Sequence, residues 1–140
     1  MAKIALKPYV LRDCTLNIKN GATDLGDYEG SVSKLELVPT TAVQTWKGLT
    51  PSAVYQDVAA SEWVANIDFA QDFETPASLS QYLLANVGAK LTLTFKPKQS
   101  AGVKSASIVA TGLPGSIGGA VGGFATSSVS LPCDGQPVLA

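Results

Sequence analysis

Between residues 63 and 73 the side chains alternate in character: Trp63, Ala65, Ile67, Phe69 and Phe73 share one parity, while Asn66, Asp68 and Asp72 hold the other. A period of two is what a strand with one buried and one wet face requires, because successive side chains point to opposite faces. The pattern recurs in Cys14, Leu16 and Ile18 against Thr15, Asn17 and Lys19, and in Leu35 and Leu37 against Lys34 and Glu36. Leu91, Leu93 and Phe95 repeat it against Thr92, Thr94 and Lys96, and weaker versions run through 105–111 and 124–131. Roughly six to eight strands are expected.

One segment, 75–88, departs from that period. Thr75 is placed to cap a first helical turn and Pro76 sits where a missing N–H costs nothing. Leu79, Tyr82, Leu83 and Val87 then fall on one face, and Gly88 suits the left-handed conformation that ends a helix. The spacing predicts one helix of about three turns over 76–87. Its apolar face must be covered by the neighbouring strands, so the expected architecture is mainly β, a sandwich or partly closed barrel with one flanking helix. Residues 20–31, 48–62, 98–102 and 112–123 read as loops.

At 140 residues the chain suits a single domain, here 1–140, with an N-terminal arm over about residues 1–10 and a C-terminal arm over about 134–140. A hydrophobic share of 46% with 15% charged residues places it among chains that pack. The net charge of −1 argues against tight nucleic-acid binding, which rests on Lys and Arg neutralising phosphates. There is no apolar run of about 18 residues and no signal-like apolar core near the start, so a soluble, unexported product is expected. Cys14 and Cys133 are too few for a disulfide scaffold and wrongly spaced for zinc. They are expected to be two small buried hydrophobes, with a disulfide between them as the alternative.

The chain has no histidine, which removes the usual Ser-His and Cys-His pairs and the commonest metal ligand. Among carboxylates, Asp68 and Asp72 sit four positions apart on one expected strand, roughly 13 Å at about 3.3 Å per residue, beyond the separation of an inverting pair. The glycine-rich 112–123 segment lacks the Gly-Lys-Ser/Thr ending of a phosphate-binding loop. Asp24, Asp27 and Glu29 do not have the spacing of a calcium loop. No catalytic, cofactor or metal site is expected, and the chain reads as a non-enzyme.

Charge is segregated along the chain. Residues 48–89 hold the acids Asp57, Glu62, Asp68, Asp72 and Glu74 with no Lys or Arg, and residues 90–132 hold Lys90, Lys96, Lys98 and Lys104 with no acid. Two accounts follow: cross-strand pairing inside one sheet, or complementary surfaces on neighbouring copies. Under the second, Asp24, Asp27, Glu29, Asp57, Glu62, Lys90, Lys96, Lys98 and Lys104 are candidate inter-subunit contacts. Head-to-tail contact of that kind builds closed rings or open filaments.

Several segments, in order, resemble the major tail tube protein of long, non-contractile-tailed bacteriophages, particularly those infecting actinobacteria. They are Thr45-Trp46-Lys47-Gly48-Leu49-Thr50-Pro51, Phe69-Ala70-Gln71-Asp72 closing the 63–72 run, Thr75-Pro76-Ala77-Ser78-Leu79-Ser80-Gln81-Tyr82-Leu83, and Thr92 to Pro97. Gly118-Gly119-Ala120, Phe124-Ala125-Thr126 and the closing Gly135-Gln136-Pro137-Val138-Leu139 are similar too. The resemblance covers residues 46–140 well and the first 40 loosely.

It implies a subunit that self-assembles into six-membered rings stacked as a hollow tail tube, with one sheet lining the lumen and a long loop and terminal arms bridging rings. The implied partners are other copies, a tape measure protein and tail-end proteins. Double-stranded DNA would pass through without tight binding at infection, with no membrane partner. The implied location is the virion tail, after synthesis in the host cytoplasm. Asn66, Asp68 and Asp72 become candidate lumen residues, since a neutral or negative lining lets DNA slide; an outer-wall position is equally compatible.

Two other readings compete. One is a β-sandwich binding module of a phage appendage, with Trp46, Trp63, Tyr28 and Tyr55 offering stacking faces to a carbohydrate. The other is a carboxylate hydrolase. Trp63 shares parity with Ile67 and Phe69 and is expected in the core.

Overall fold

The computed structural model describes residues 2–100 and 102–140. Met1, in the expected N-terminal arm, and Ala101, in the expected 98–102 loop, lie outside the described residues. In chain order the elements are β1 (Thr15–Asn20), β2 (Thr23–Asp27), β3 (Val32–Thr40), β4 (Val43–Lys47), β5 (Val54–Val58), β6 (Glu62–Ala70), α1 (Leu79–Ala85), β7 (Lys90–Lys96), β8 (Ala106–Thr111) and β9 (Thr126–Leu139). Seven strands form one antiparallel sheet in the order β2-β1-β7-β8-β9-β6-β3, and β4 pairs with β5 in a separate hairpin. The fold is therefore mainly β with one helix, as the alternation requires.

Directly opposed residues share a face, so the register shows how one interior forms. Ile18 faces Leu93 and Leu93 faces Ile108 across β1, β7 and β8. Leu35 faces Ile67 and Ile67 faces Val129 across β3, β6 and β9. These side chains join Leu16, Ala65, Phe69, Leu91, Ala110 and Leu131 in a single core, into which α1 inserts Leu79 and Leu83. Burying each large member contributes about 1.5–3 kcal/mol, so the inward parity of the strands dominates stability. Trp63 packs against this core, half-buried.

The two edge strands, β2 and β3, are consecutive in the chain but do not pair with each other. Between them, Tyr28 N donates to Leu16 O (2.8 Å), Ser31 N to Tyr28 O (3.0 Å), and Ala70 N to Ser31 O (2.9 Å). The chain thus crosses from β1 to β6 within three residue steps, roughly 10 Å of backbone. The sheet curls to bring those strands that close. The result is a partly closed barrel, pinned at this corner and open beyond it.

Several expectations are corrected. The helix begins at Leu79 with Ser78 as its N-cap, Ser78 Oγ accepting from Gln81 N, rather than at Pro76 behind Thr75. The reason lies upstream: Asp72 Oδ1 accepts from the amides of Glu74 (2.9 Å) and Thr75 (3.1 Å), and Ser78 N bonds Thr75 O (3.0 Å). Those tight turns consume the first expected helical turn, leaving seven helical residues with Asn86 as C-cap. Val87 is consequently 58% exposed, off the buried face. β6 stops at Ala70, so Asp72 and Phe73 do not continue its alternation; Phe73 is 43% exposed.

The expected C-terminal arm is instead sheet. β9 runs to Leu139, and its second half pairs with β8, Ser107 opposite Val138 and Ala106 opposite Leu139. A register shift between Ser107 and Val109 is absorbed at Gly135, whose φ of 75° a side chain would disfavour. The expected loops at 20–31 and 48–62 contain β2 and β5, respectively, whereas 112–123 is without regular structure, as expected.

Candidate assembly surfaces

The β4–β5 hairpin has no layer beneath it. It prolongs the β3–β6 ladder, with Ala59 N bonding Ala42 O (2.8 Å) and the hydroxyls of Thr41 and Ser61 2.7 Å apart at the joint. Every residue of both strands is exposed. One face carries Val43, Val54 and Val58, and the other carries Trp46 and Tyr55, which oppose each other in register. Gly48 N to Ala53 O (2.7 Å) and Ala53 N to Thr50 O (3.1 Å) close the turn. A two-stranded hairpin alone is marginal in water, so these exposed apolar side chains are unsupported in the monomer. The expected loop 48–62 thus holds a strand, with Tyr55, a candidate stacking residue, on it and with Val54 and Val58, which the sequence does not single out. Their strand-like composition, across a Thr-Pro-Ser turn from Trp46, was the available signal.

The outward face of β6 carries Asn66 and Asp68, both partly exposed. Ser130 Oγ donates to Asn66 Oδ1 (2.7 Å), and Ser128 Oγ to Asp68 Oδ1 (2.6 Å). Lys34 and Glu36 of β3 oppose Asp68 and Asn66 on the other side. This part of the sheet's outer surface is therefore polar, lined by hydroxyls and a held carboxylate. Asp72, grouped with Asn66 and Asp68 from sequence, lies off the sheet. There the hydroxyl of Thr75 and the amides of Glu74 and Thr75 keep its carboxyl below the usual aspartate range.

The acids near the start are tied inside the subunit. Asn17 Nδ2 donates to Asp24 Oδ1 (2.9 Å) and Asp27 Oδ1 (3.0 Å). Its bond, then that from Gly26 N, holds Asp24 below the ordinary value. Glu29 Oε2 reaches Leu16 N at 3.5 Å. These contacts explain the acids as braces of the β1–β2 hairpin.

Among the described residues the ion pairs are Lys34–Glu36 (4.0 Å) and Lys90–Asp134 (3.1 Å). No acid of the 48–89 run meets a lysine of the 90–132 run in these pairs, so pairing inside one sheet does not account for their segregation. Lys90 also donates to Thr111 Oγ1 (2.8 Å) and serves the C-terminal strand. Asp57 and Glu62 flank the hairpin joint, on β5 and at the start of β6, and Asp57 accepts from Val58 N (2.8 Å). Lys96, at the end of β7, and Lys98 and Lys104, in the segment after it, lie outside those pairs.

Cys14 and Cys133 are free, half-buried thiols. Burial, with Asp134 adding, pushes the Cys133 thiol up despite a bond from Ala65 N. Tyr28 is buried, donates to Ala77 O (2.8 Å), and has its phenol pushed up by burial and then by Tyr82. Asn20 Nδ2 donates to the hydroxyl of Tyr82 (2.7 Å). Both tyrosines therefore anchor α1 and its approach to the body, so Tyr28 is no stacking platform. Among the described residues no helix is long and apolar enough to cross a membrane. No protein-family model and no curated protein matches the chain.

Proposed function

We propose that this chain is a structural subunit of a phage tail tube, self-assembling into stacked six-membered rings around a channel through which the genome passes. The observation that carries the reading is the β4–β5 hairpin. It exposes Val43, Trp46, Val54, Tyr55 and Val58 at 48–65% each, with no support from its own core. Apolar side chains exposed on both faces of an unsupported hairpin, the three valines on one and the aromatic pair on the other, mark an interaction site. The sequence resemblance names the interaction as assembly with further copies. The segregated charges, left unpaired across the two runs, support the same reading.

In this reading the Asn66 and Asp68 face of the sheet lines the channel, where Asn66, Asp68 and the hydroxyls of Ser128 and Ser130 offer no cation to hold phosphate. The tape measure protein and tail-end proteins are the other partners, and the location is the virion tail. Negative-stain microscopy of the purified protein over rising concentration tests it. Tubes or stacked rings are expected; a persistent monomer overturns the reading.

A second reading is favoured by one observation. Trp46 and Tyr55 sit side by side and exposed, as in a carbohydrate-stacking platform of an appendage module. Glycan-array binding abolished by Trp46→Ala, by a protein that never polymerises, would select it over the first.

A further inference from the structure

Two parts of this subunit lack a partner. The first is the free edge of β3, which stands last in the sheet and pairs with β6 on one side alone. Beside that edge opens a cleft of about 500 Å³, floored by Leu16, Val32, Leu35 and Phe95. Residues 32–36 border it consecutively. Alternate side chains of a strand point to opposite faces, so a consecutive run borders one cleft when the backbone edge itself faces it. Unused N–H and C=O groups above an apolar floor are what a missing strand leaves.

The second part is the segment 2–10. It has no regular structure, and Ile4, Leu6 and Val10 are 96%, 84% and 74% exposed. The first backbone bond to the body comes at Asp13, whose carbonyl accepts from Gln99 N (3.1 Å). Ile4, Leu6 and Val10 share one parity and Lys3 and Lys7 the other, the alternation of a strand. Pro8 lacks an N–H, which suits an outermost strand. The segment carries Lys3 and Lys7 with no acid, while the cleft lining carries Asp13, Glu29 and Glu36 against Arg12 and Lys34.

We propose that residues 2–10 of one copy add as a strand to the β3 edge of a second copy, laying Ile4, Leu6 and Val10 on the cleft floor and Lys3 and Lys7 on the side of Glu36. Main-chain bonds supply affinity and the apolar parity sets register, as in strand addition generally. A second copy is the occupant because residues 11–14 of the same chain form a wall of the cleft. The arm therefore leaves its own cleft along the rim, and its residues 2–10 stay exposed.

This inference rests on the self-assembly reading, and its test separates the two. In a Cys14→Ser, Cys133→Ser background, full-length chains carrying Lys7→Cys or Ser33→Cys, tagged to differ in size, are mixed, concentrated and treated with a short bis-maleimide. Cross-linked heterodimers are expected. Removal of residues 2–10, with an unchanged circular dichroism spectrum and Tm, is expected to raise the concentration for assembly at least tenfold. Normal assembly of the truncated chain overturns this proposal alone. So does cross-linking confined within a single chain carrying both cysteines. A full-length chain that stays monomeric throughout overturns both proposals.

Discussion

The indole of Trp46 and the phenol of Tyr55 lie with ring centroids 5.9 Å apart and planes inclined by 39°, directly opposite each other across the β4–β5 ladder. Such a pair adds about 0.5–1.5 kcal/mol to a hairpin, too little to hold it without a partner surface. Trp46→Ala is expected to leave the Tm of the monomer within about 1 °C, because the side chain touches no core residue. It should raise the concentration for assembly about tenfold or more, as loss of an interface aromatic does. Calorimetry and light scattering on the same sample check both halves.

Two glycines, one in the hairpin turn and one packed on the core, test hairpin and body independently. A Cβ on Gly48 would meet Ala53 Cβ at 2.7 Å, and neither can swing away. Gly48→Ala is therefore expected to distort the hairpin turn and weaken assembly while sparing the Tm. A Cβ on Gly115 would lie 2.9 Å from Cζ of Phe69, a buried core ring. Gly115→Ala is expected to cost the body about 1–3 kcal/mol by overpacking, read in urea unfolding.

The acid side of the stability profile follows from Asp72. Its pKa is depressed in the folded state by bonds from the hydroxyl of Thr75 and the amides of Glu74 and Thr75. The stability it contributes is thus present above the ordinary aspartate value of about 3.9 and is lost as pH falls through the lower folded value. Asp72→Ala is expected to lower the Tm at neutral pH. The gap from the parent should close below about pH 3.9. A gap independent of pH would remove the carboxylate from the account.

Charge reversal distinguishes surface roles. Asp57→Lys and Glu62→Lys, at exposed positions flanking the hairpin joint, are expected to impair assembly with the far-ultraviolet spectrum unchanged. Lys90→Ala breaks an exposed pair with Asp134 and should cost at most about 1 kcal/mol, with assembly unaffected. Normal tubes from the Asp57 and Glu62 variants would refute the inter-copy role of those acids.

Much of the subunit was legible in its residues, and the departures have local causes. Leu16, Ile18, Ile67, Phe69, Leu91 and Leu93 are buried where parity puts them, because a period of two leaves a strand one way to hide its apolar face. The helix starts three residues later than its spacing predicts, because Thr75 and Ser78 are both competent caps. The choice between them fell to Asp72, whose carboxylate occupies the earlier amides. Residues 134–139 look like an arm, with Gly135 and Pro137 interrupting the alternation; they become strand because β8 offers a ladder that tolerates the bulge.

The sequence by itself determined a mainly β chain with one helix, the inward face of nearly every core strand, and the absence of histidine chemistry. These are matters of side-chain type and spacing, which act locally. Tertiary structure alone decided that β2 and β3 stand at opposite ends of the sheet order while joined by a short corner, that 48–62 contains half of an unsupported hairpin, and that Asp72 leaves the company of Asn66 and Asp68. It also decided which acids are spent as internal braces. Each depends on which strands curl together and which backbone groups are left over, and a linear pattern of parity carries no record of either.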